Sequence, residues 1–209
     1  MGSGGEKCFG CSVSAIVLAA GQARRMGQLK QLLPWRGATL IEHTIDCVIA
    51  SGVAEIIVVL GYRAEEVMQR LAGKPVKIKI NENYKGGMSS SLICGLQALE
   101  KKAAGIMVVL GDQPTLEVDT LRHLIREFCQ RTTIVVPVFE KRRGNPVIFP
   151  SKYINEMLAL QGDRGAKSVV EAHPDDVIEV GVTTDSVIFD IDDIQEYRTL
   201  LDRDITRER

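Results

Sequence analysis

Aromatic residues make up only 5% of this 209-residue chain, the net charge is −1, and no apolar run approaches the length that spans a bilayer. Each absence excludes something. Without a surplus of positive charge no global field would hold a polyanion such as DNA, so no nucleic-acid partner is expected and any anion has to be caught by a local cluster. Without a long apolar stretch, or a hydrophobic signal core near the start, no membrane partner is expected either, and the cytoplasm is the location by default. The five cysteines (Cys8, Cys11, Cys47, Cys94 and Cys129) are odd in number and scattered, which does not read as a disulfide framework. Cys8 and Cys11 form a lone C-x-x-C with no second ligand pair, and read as part of a loose N-terminal segment. Also missing are the dinucleotide fingerprint G-x-G-x-x-G, the P-loop, the G-x-S-x-G nucleophile elbow and any His-x-x-x-His spacing among His43, His123 and His173.

What is present is the composition of an ordinary folded domain, 45% hydrophobic and 25% charged. The length suits one domain, expected over residues 13–203, between a flexible N-terminal segment (1–12) and a charged tail (204–209). Short β-branched runs at 13–18, 55–60, 76–80, 106–110 and 133–138 read as strands. Between them the segments 39–50, 64–71, 89–102 and 118–130 carry apolar residues at helical spacing. Leu40, Ile41, Thr44, Ile45 and Val48 form one such stripe, with Glu42, His43 and Asp46 left for the outer face. The class is α/β, a mostly parallel central sheet covered by helices on both faces. After Val138 the alternation loosens: a turn-rich apolar run at 140–150, helical segments at 153–160 and 166–172, apolar segments at 177–180 and 187–189, and a last helix near 194–202.

In open α/β sheets ligands bind in the loops beyond the carboxyl ends of the strands, so those loops are read first. After the first strand comes AAGQARRMGQLK (residues 19–30), where small residues at Ala19, Ala20 and Gly21 allow close backbone approach to a ligand. Arg25 offers a planar fork and Lys30 a mobile point charge, a combination suited to a triphosphate; a solvated basic loop is the plain alternative. GDQP (111–114) sets Asp112 at the end of a buried strand, where a carboxylate can hold a divalent cation against a phosphate, although Asp and Pro also simply favour turns. In GMSSSL (87–92) the serines open a helix, either as an N-cap or as anion-binding groups. DIDD (190–193) supplies carboxylates for a turn or for a second metal ligand.

Taken in order, residues 18–43, GMSSSL, GDQP, GNPVIF (144–149), GDRGAK (162–167) and DIDD resemble the molybdenum-cofactor nucleotidyltransferases over nearly the whole chain. L-A-A-G at 18–21 is similar to the branch that uses CTP rather than GTP. The resemblance implies a Rossmann-like three-layer sandwich of the nucleotide-diphospho-sugar transferase type. It places Arg25 and Lys30 on the triphosphate, Asp112 on Mg2+ (or Mn2+) with Asp192 as second carboxylate, and Leu18, Ala19, Ala20, Gly21, Ser90 and Ser91 against the base and ribose. Residues 140–170, with Asn145, Asp163 and Lys167, would face the molybdopterin acceptor, and a molybdenum hydroxylase would receive the product. Four positions depart from the family pattern: Ala23 for Ser or Gly, Asn145 for His, Lys167 for Arg and Asp193 for Thr.

The expected reaction is transfer of CMP from CTP to the terminal phosphate of molybdopterin, with Arg25, Lys30 and Asp112 as the catalytic groups. Competing readings are a related transferase using GTP or a phosphorylated sugar or polyol, and a non-catalytic cofactor carrier. A dinucleotide-dependent oxidoreductase ranks last, for want of its glycine fingerprint.

Overall fold

The computed structural model describes residues 11–22, 29–100 and 102–207. Along the chain these form β1 (Val13–Ala19), the hairpin β2 (Pro34–Trp35) and β3 (Ala38–Thr39), α1 (Leu40–Ser51), β4 (Ile56–Leu60), α2 (Ala64–Arg70), β5 (Lys77–Ile80), α3 (Met88–Gln97), β6 (Gly105–Leu110), α4 (Val118–Arg131), β7 (Ile134–Phe139), β8 (Arg142–Arg143), β9 (Val147–Pro150), α5 (Ile154–Leu158), α6 (Lys167–Ala172), β10 (Val177–Gly181) and α7 (Ile194–Arg207). The main sheet has the order β10-β7-β9-β6-β1-β4-β5, with β8 paired to β7. β1 lies in its interior, parallel to both β4 and β6.

Alternation along the strands decides which helix layer each side chain meets. From β1, Val13, Ala15, Val17 and Ala19 join a core with Ile41, Ile45 and Val48 of α1 and Leu121, Leu124 and Phe128 of α4. Ile16 points the other way, into a second core with Leu92 and Leu96 of α3, Met157 of α5 and Val169 of α6. Fully burying one such side chain contributes about 1.5–3 kcal/mol, and both faces of β1 are sealed in this way. The result is a three-layer α/β sandwich with a mostly parallel sheet, as its alternating pattern predicts. Among the described residues no helix is long and apolar enough to cross a membrane.

Register brings the functional loops together. Ala19 pairs with Leu60 of β4 and Leu18 with Leu110 of β6, so these three strands end at the same edge of the sheet. Three details refine or correct the sequence reading. The run at 147–150 is a strand inserted antiparallel between β6 and β7, interrupting the parallel order. The apolar segment at 187–189, given no element by its pattern, starts at the end of the 3-10 turn Asp185–Val187, with Val187 fully buried in the core. Finally, Cys11 and Cys129 are joined by a disulfide, a single staple between the start of β1 and the end of α4.

Candidate nucleotide and metal site

The loop after β1 is shaped by its neighbours. Gly111 N–H donates to the Leu18 carbonyl at 2.9 Å and Tyr62 N–H to the Ala20 carbonyl at 3.2 Å. The Gln31 amide, 2% exposed, reaches the carbonyls of Ala19 at 3.1 Å and Gly21 at 3.4 Å. Four successive carbonyls are thereby held by the protein, and the turn has its shape before any ligand arrives. The packing is tight enough to require glycine at 111, where a Cβ would stand 2.8 Å from that of Ala19 and 3.1 Å from the Leu18 oxygen. Ala19 and Ala20 are buried and Gly21 is exposed, while Leu18 is half-buried against the second core. Arg24 and Arg25 lie outside the described residues.

Lys30, Asp112 and Asp192 converge from distant parts of the chain. Lys30 opens a 3-10 turn, Asp112 follows β6, and Asp192 precedes α7. The Lys30 ammonium lies 2.5 Å from Asp112 Oδ2 and 3.0 Å from Asp192 Oδ1. Burial works against its charge, but the two carboxylates outweigh that, Asp112 foremost, and raise its pKa above the ordinary lysine value. The backbone binds the two acidic segments to each other, Ile191 N–H donating to the Asp112 carbonyl at 3.2 Å. Ile191 itself is buried with Leu33, Trp35, Leu40 and Leu200. Asp193 caps α7, its Oδ1 accepting from the N–H groups of Gln195 (2.8 Å) and Glu196 (3.0 Å). An aspartate there does what the family's threonine can do. Asp190 is driven the other way: burial, then repulsion from Asp112 and Asp192, raises its carboxyl above the ordinary range.

This cluster suits a hard divalent cation. Among the described residues Asp112 Oδ1 is buried without a hydrogen-bond partner, and Lys30 is the one cation paired with its other oxygen. Oxygen donors of this kind fit Mg2+ or Mn2+. Among the described residues no three His, Cys, Asp or Glu side chains form a metal-holding group, so Asp112 and Asp192 would hold the ion with phosphate and water completing its shell.

Two cavities adjoin the site and share Asp163 in their walls. One, of about 520 Å³, is lined by Gln22, Tyr84, Lys85, the glycine pair 86–87 and Gly162. Gln22 reaches across it to the Tyr84 hydroxyl at 3.3 Å. The other, about 630 Å³, has an apolar floor that includes Val108, Val136 and Phe149, and a polar rim of Arg143, Asn145, Arg164 and Lys167.

Several predicted residues act through the protein. Asn81, 6% exposed, donates to the hydroxyls of Ser90 (2.9 Å) and Ser91 (3.0 Å), so these serines brace the loop. Asp163 Oδ1 accepts from Met88 N–H at 3.0 Å and caps α3 from across the cleft. Asn145 lines the larger cavity with its backbone N–H on the Val187 carbonyl, and Lys167 stands exposed at the start of α6. Sequence reasoning missed Gln31, Asn81 and Asp190. The first two act on neutral groups, which leave no charge or spacing signal, while Asp190 was visible within DIDD.

Comparison with known proteins agrees with this geometry. The MobA-like NTP transferase domain matches residues 15–177. Nicotine blue oxidoreductase of Paenarthrobacter nicotinovorans is 30% identical over 90% of this chain and 96% of its own. Molybdenum cofactor cytidylyltransferase of Escherichia coli (strain K12) is 26% identical over 92% and 97%. The crystal structure of Rv0371c from Mycobacterium tuberculosis H37Rv has a TM-score of 0.84 at 31% identity, covering 92% of this chain and 98% of that one. A manganese complex of the same protein has a TM-score of 0.79, also at 31% identity, covering 91% and 98%. With the family's domain spanning most of the sheet and the acid–lysine cluster at its edge, the chain belongs to the MobA-like NTP transferase family and is a nucleotidyltransferase.

Proposed function

We propose that this enzyme transfers CMP from CTP to the terminal phosphate of molybdopterin in the cytoplasm, releasing pyrophosphate, and passes the product to a molybdenum hydroxylase. The observation that carries the transfer is Lys30 held between Asp112 and Asp192 beside a preformed loop. An acceptor phosphate oxygen attacks the α-phosphorus, the bond between that phosphorus and its bridging oxygen to the β-phosphorus breaks, and pyrophosphate leaves with the electron pair. The nucleophile is already anionic, so the chain need not supply a general base. Its residues orient the reactants and balance charge, Lys30 and Arg25 on the departing phosphates and the loop at 18–21 against the nucleoside. A divalent cation, once bound by Asp112 and Asp192, neutralises phosphate charge.

CTP is favoured by L-A-A-G and by the cytidylyltransferase relative. Molybdopterin is favoured by the larger cavity, whose apolar floor suits a flat ring system better than a polyol. The relative named as an oxidoreductase raises hydride transfer as a rival, which is disfavoured here because the chain lacks the G-x-G-x-x-G dinucleotide fingerprint.

Pyrophosphate release with CTP and with GTP, each with and without molybdopterin, tests the proposal. Release with CTP that depends on molybdopterin is expected. Lys30→Ala should lower turnover on the order of 10²–10³-fold, as for loss of one electrostatic stabiliser. Asp112→Ala should abolish metal-dependent release. A strong preference for GTP, or near wild-type release by Asp112→Ala, would overturn the assignment.

A further inference from the structure

The same lysine has a second role that follows from where it sits. Its ammonium covers Asp112 Oδ2 and Asp192 Oδ1, the oxygens on which a cation would be held, while Asp112 Oδ1 is enclosed by the protein. A magnesium-sized ion bonds oxygen at about 2.0–2.1 Å. An ion on those two oxygens would crowd an ammonium at 2.5 and 3.0 Å from them, and two cations at such a spacing repel strongly in a partly buried site. Lysine and metal therefore compete for one place.

Resting on the transferase reading above, we infer that Lys30 is a resident counter-cation: it fills the metal position between Asp112 and Asp192 and yields it when a triphosphate gives the ammonium somewhere else to bind. The exchange needs little movement of the main chain. Gln31 fixes the adjoining backbone to Ala19 and Gly21, so the exchange runs through rotation of the lysine side chain. The arrangement makes nucleotide and metal bind as a coupled pair, because each relieves the other's cost. The ammonium also offsets the charge that half-buried Asp112 shares with the more exposed Asp192.

The test is Mn2+ binding to the full chain without nucleotide, read from the free-ion electron paramagnetic resonance signal. Removing the competitor should tighten binding, so Lys30→Met is expected to bind Mn2+ at least about tenfold more tightly than wild type, within the usual range of coupling factors. Lys30→Gln, which keeps a polar group against the carboxylates, covers the case where Lys30→Met does not fold. Adding Asp112→Asn to either variant should remove the gain. A third measurement needs no variant: in ammonium-selective nitrogen NMR of wild type, saturating Mg2+ should shift the Lys30 signal as its ion pairs break. If neither variant binds Mn2+ more tightly than wild type, or if the Lys30 signal is unmoved at Mg2+ saturation, the inference is wrong. Pyrophosphate release by wild type without the Mn2+ gain sinks the counter-cation alone. The Mn2+ gain without release from any nucleotide sinks the transferase reading and leaves the competition standing.

Discussion

Gln31 shows how much of the site is done by a neutral side chain. It follows Lys30 directly, yet only the lysine carries a charge that a reader of the sequence would notice. Its amide nitrogen is the donor for the Ala19 carbonyl and lies within reach of the Gly21 carbonyl, bridging the turn expected to face the nucleoside. Gln31→Leu keeps most of the volume and removes both contacts. Leaving a buried carbonyl without its donor costs about 1–3 kcal/mol, which the loop can avoid by changing shape. The expected result is CTP binding weakened about tenfold or more by calorimetry, with a melting temperature close to wild type. Unchanged affinity would show that the turn keeps its shape without Gln31. Lys30 and Asp112 were legible because each carries a charge in a loop that follows a strand at the edge where open α/β sheets bind ligands. Asn81, holding Ser90 and Ser91, was not, since its partners lie nine and ten residues away across a bend. The burial of Cys47 is likewise a fact of the fold. Burial pushes its thiol up to about 12, so in the native protein it should resist alkylation at pH 8. Iodoacetamide labelling followed by peptide mass mapping checks this, with labelling expected only after denaturation.

At the scale of elements, α1 was readable from its stripe, while the capping box of Thr39 and Glu42 at its start emerges from the structure. Glu42 Oε2 accepts from both the N–H (2.9 Å) and the hydroxyl (2.6 Å) of Thr39, which fixes the entry to the helix. Burial works against the Glu42 charge, but the hydrogen bonds from Thr39 outweigh it and hold the carboxyl below its ordinary 4.5. A carboxyl with a depressed folded pKa adds stability that is fully present above its unfolded value and is lost as pH falls through the folded value. Thr39→Ala should cost about 1 kcal/mol at neutral pH, and the difference from wild type should shrink in acid as Glu42 protonates in both. Urea titrations at pH 7 and pH 3.5 measure it, and a penalty that stays constant would rule out Glu42 as the partner that matters. The β9 insertion was not legible, for a physical reason: a four-residue apolar run between turn residues fits a central strand of either direction equally well. Its antiparallel pairing with β6 and β7 is a choice made by the sheet.

For the whole molecule, the shared edge was readable because the loops that follow the parallel strands of an open α/β sheet lie at their common carboxyl ends. The disulfide was not, because nothing local links Cys11 to Cys129 across a sequence separation of 118 residues. They meet, with Cα atoms 5.6 Å apart, only because the start of β1 and the end of α4 pack against the same core. Closing a loop of that order removes unfolded-state freedom worth about 4–5 kcal/mol in the chain-entropy account. At roughly 2–4 °C per kcal/mol for a chain of this size, reduction should lower the melting temperature by roughly 10 °C. Cys129→Ser should melt at the reduced temperature and no longer respond to reductant. The staple lies at the beginning of β1, whereas the nucleotide loop leaves its far end, seven strand residues and about 20 Å away. Reduction should therefore change stability without changing CTP affinity at temperatures where the protein stays folded. Thermal scans and nucleotide titrations with and without reductant measure both quantities on one sample. A shift in affinity with no shift in melting temperature would mean that the staple acts on the site through β1 instead of on the unfolded chain.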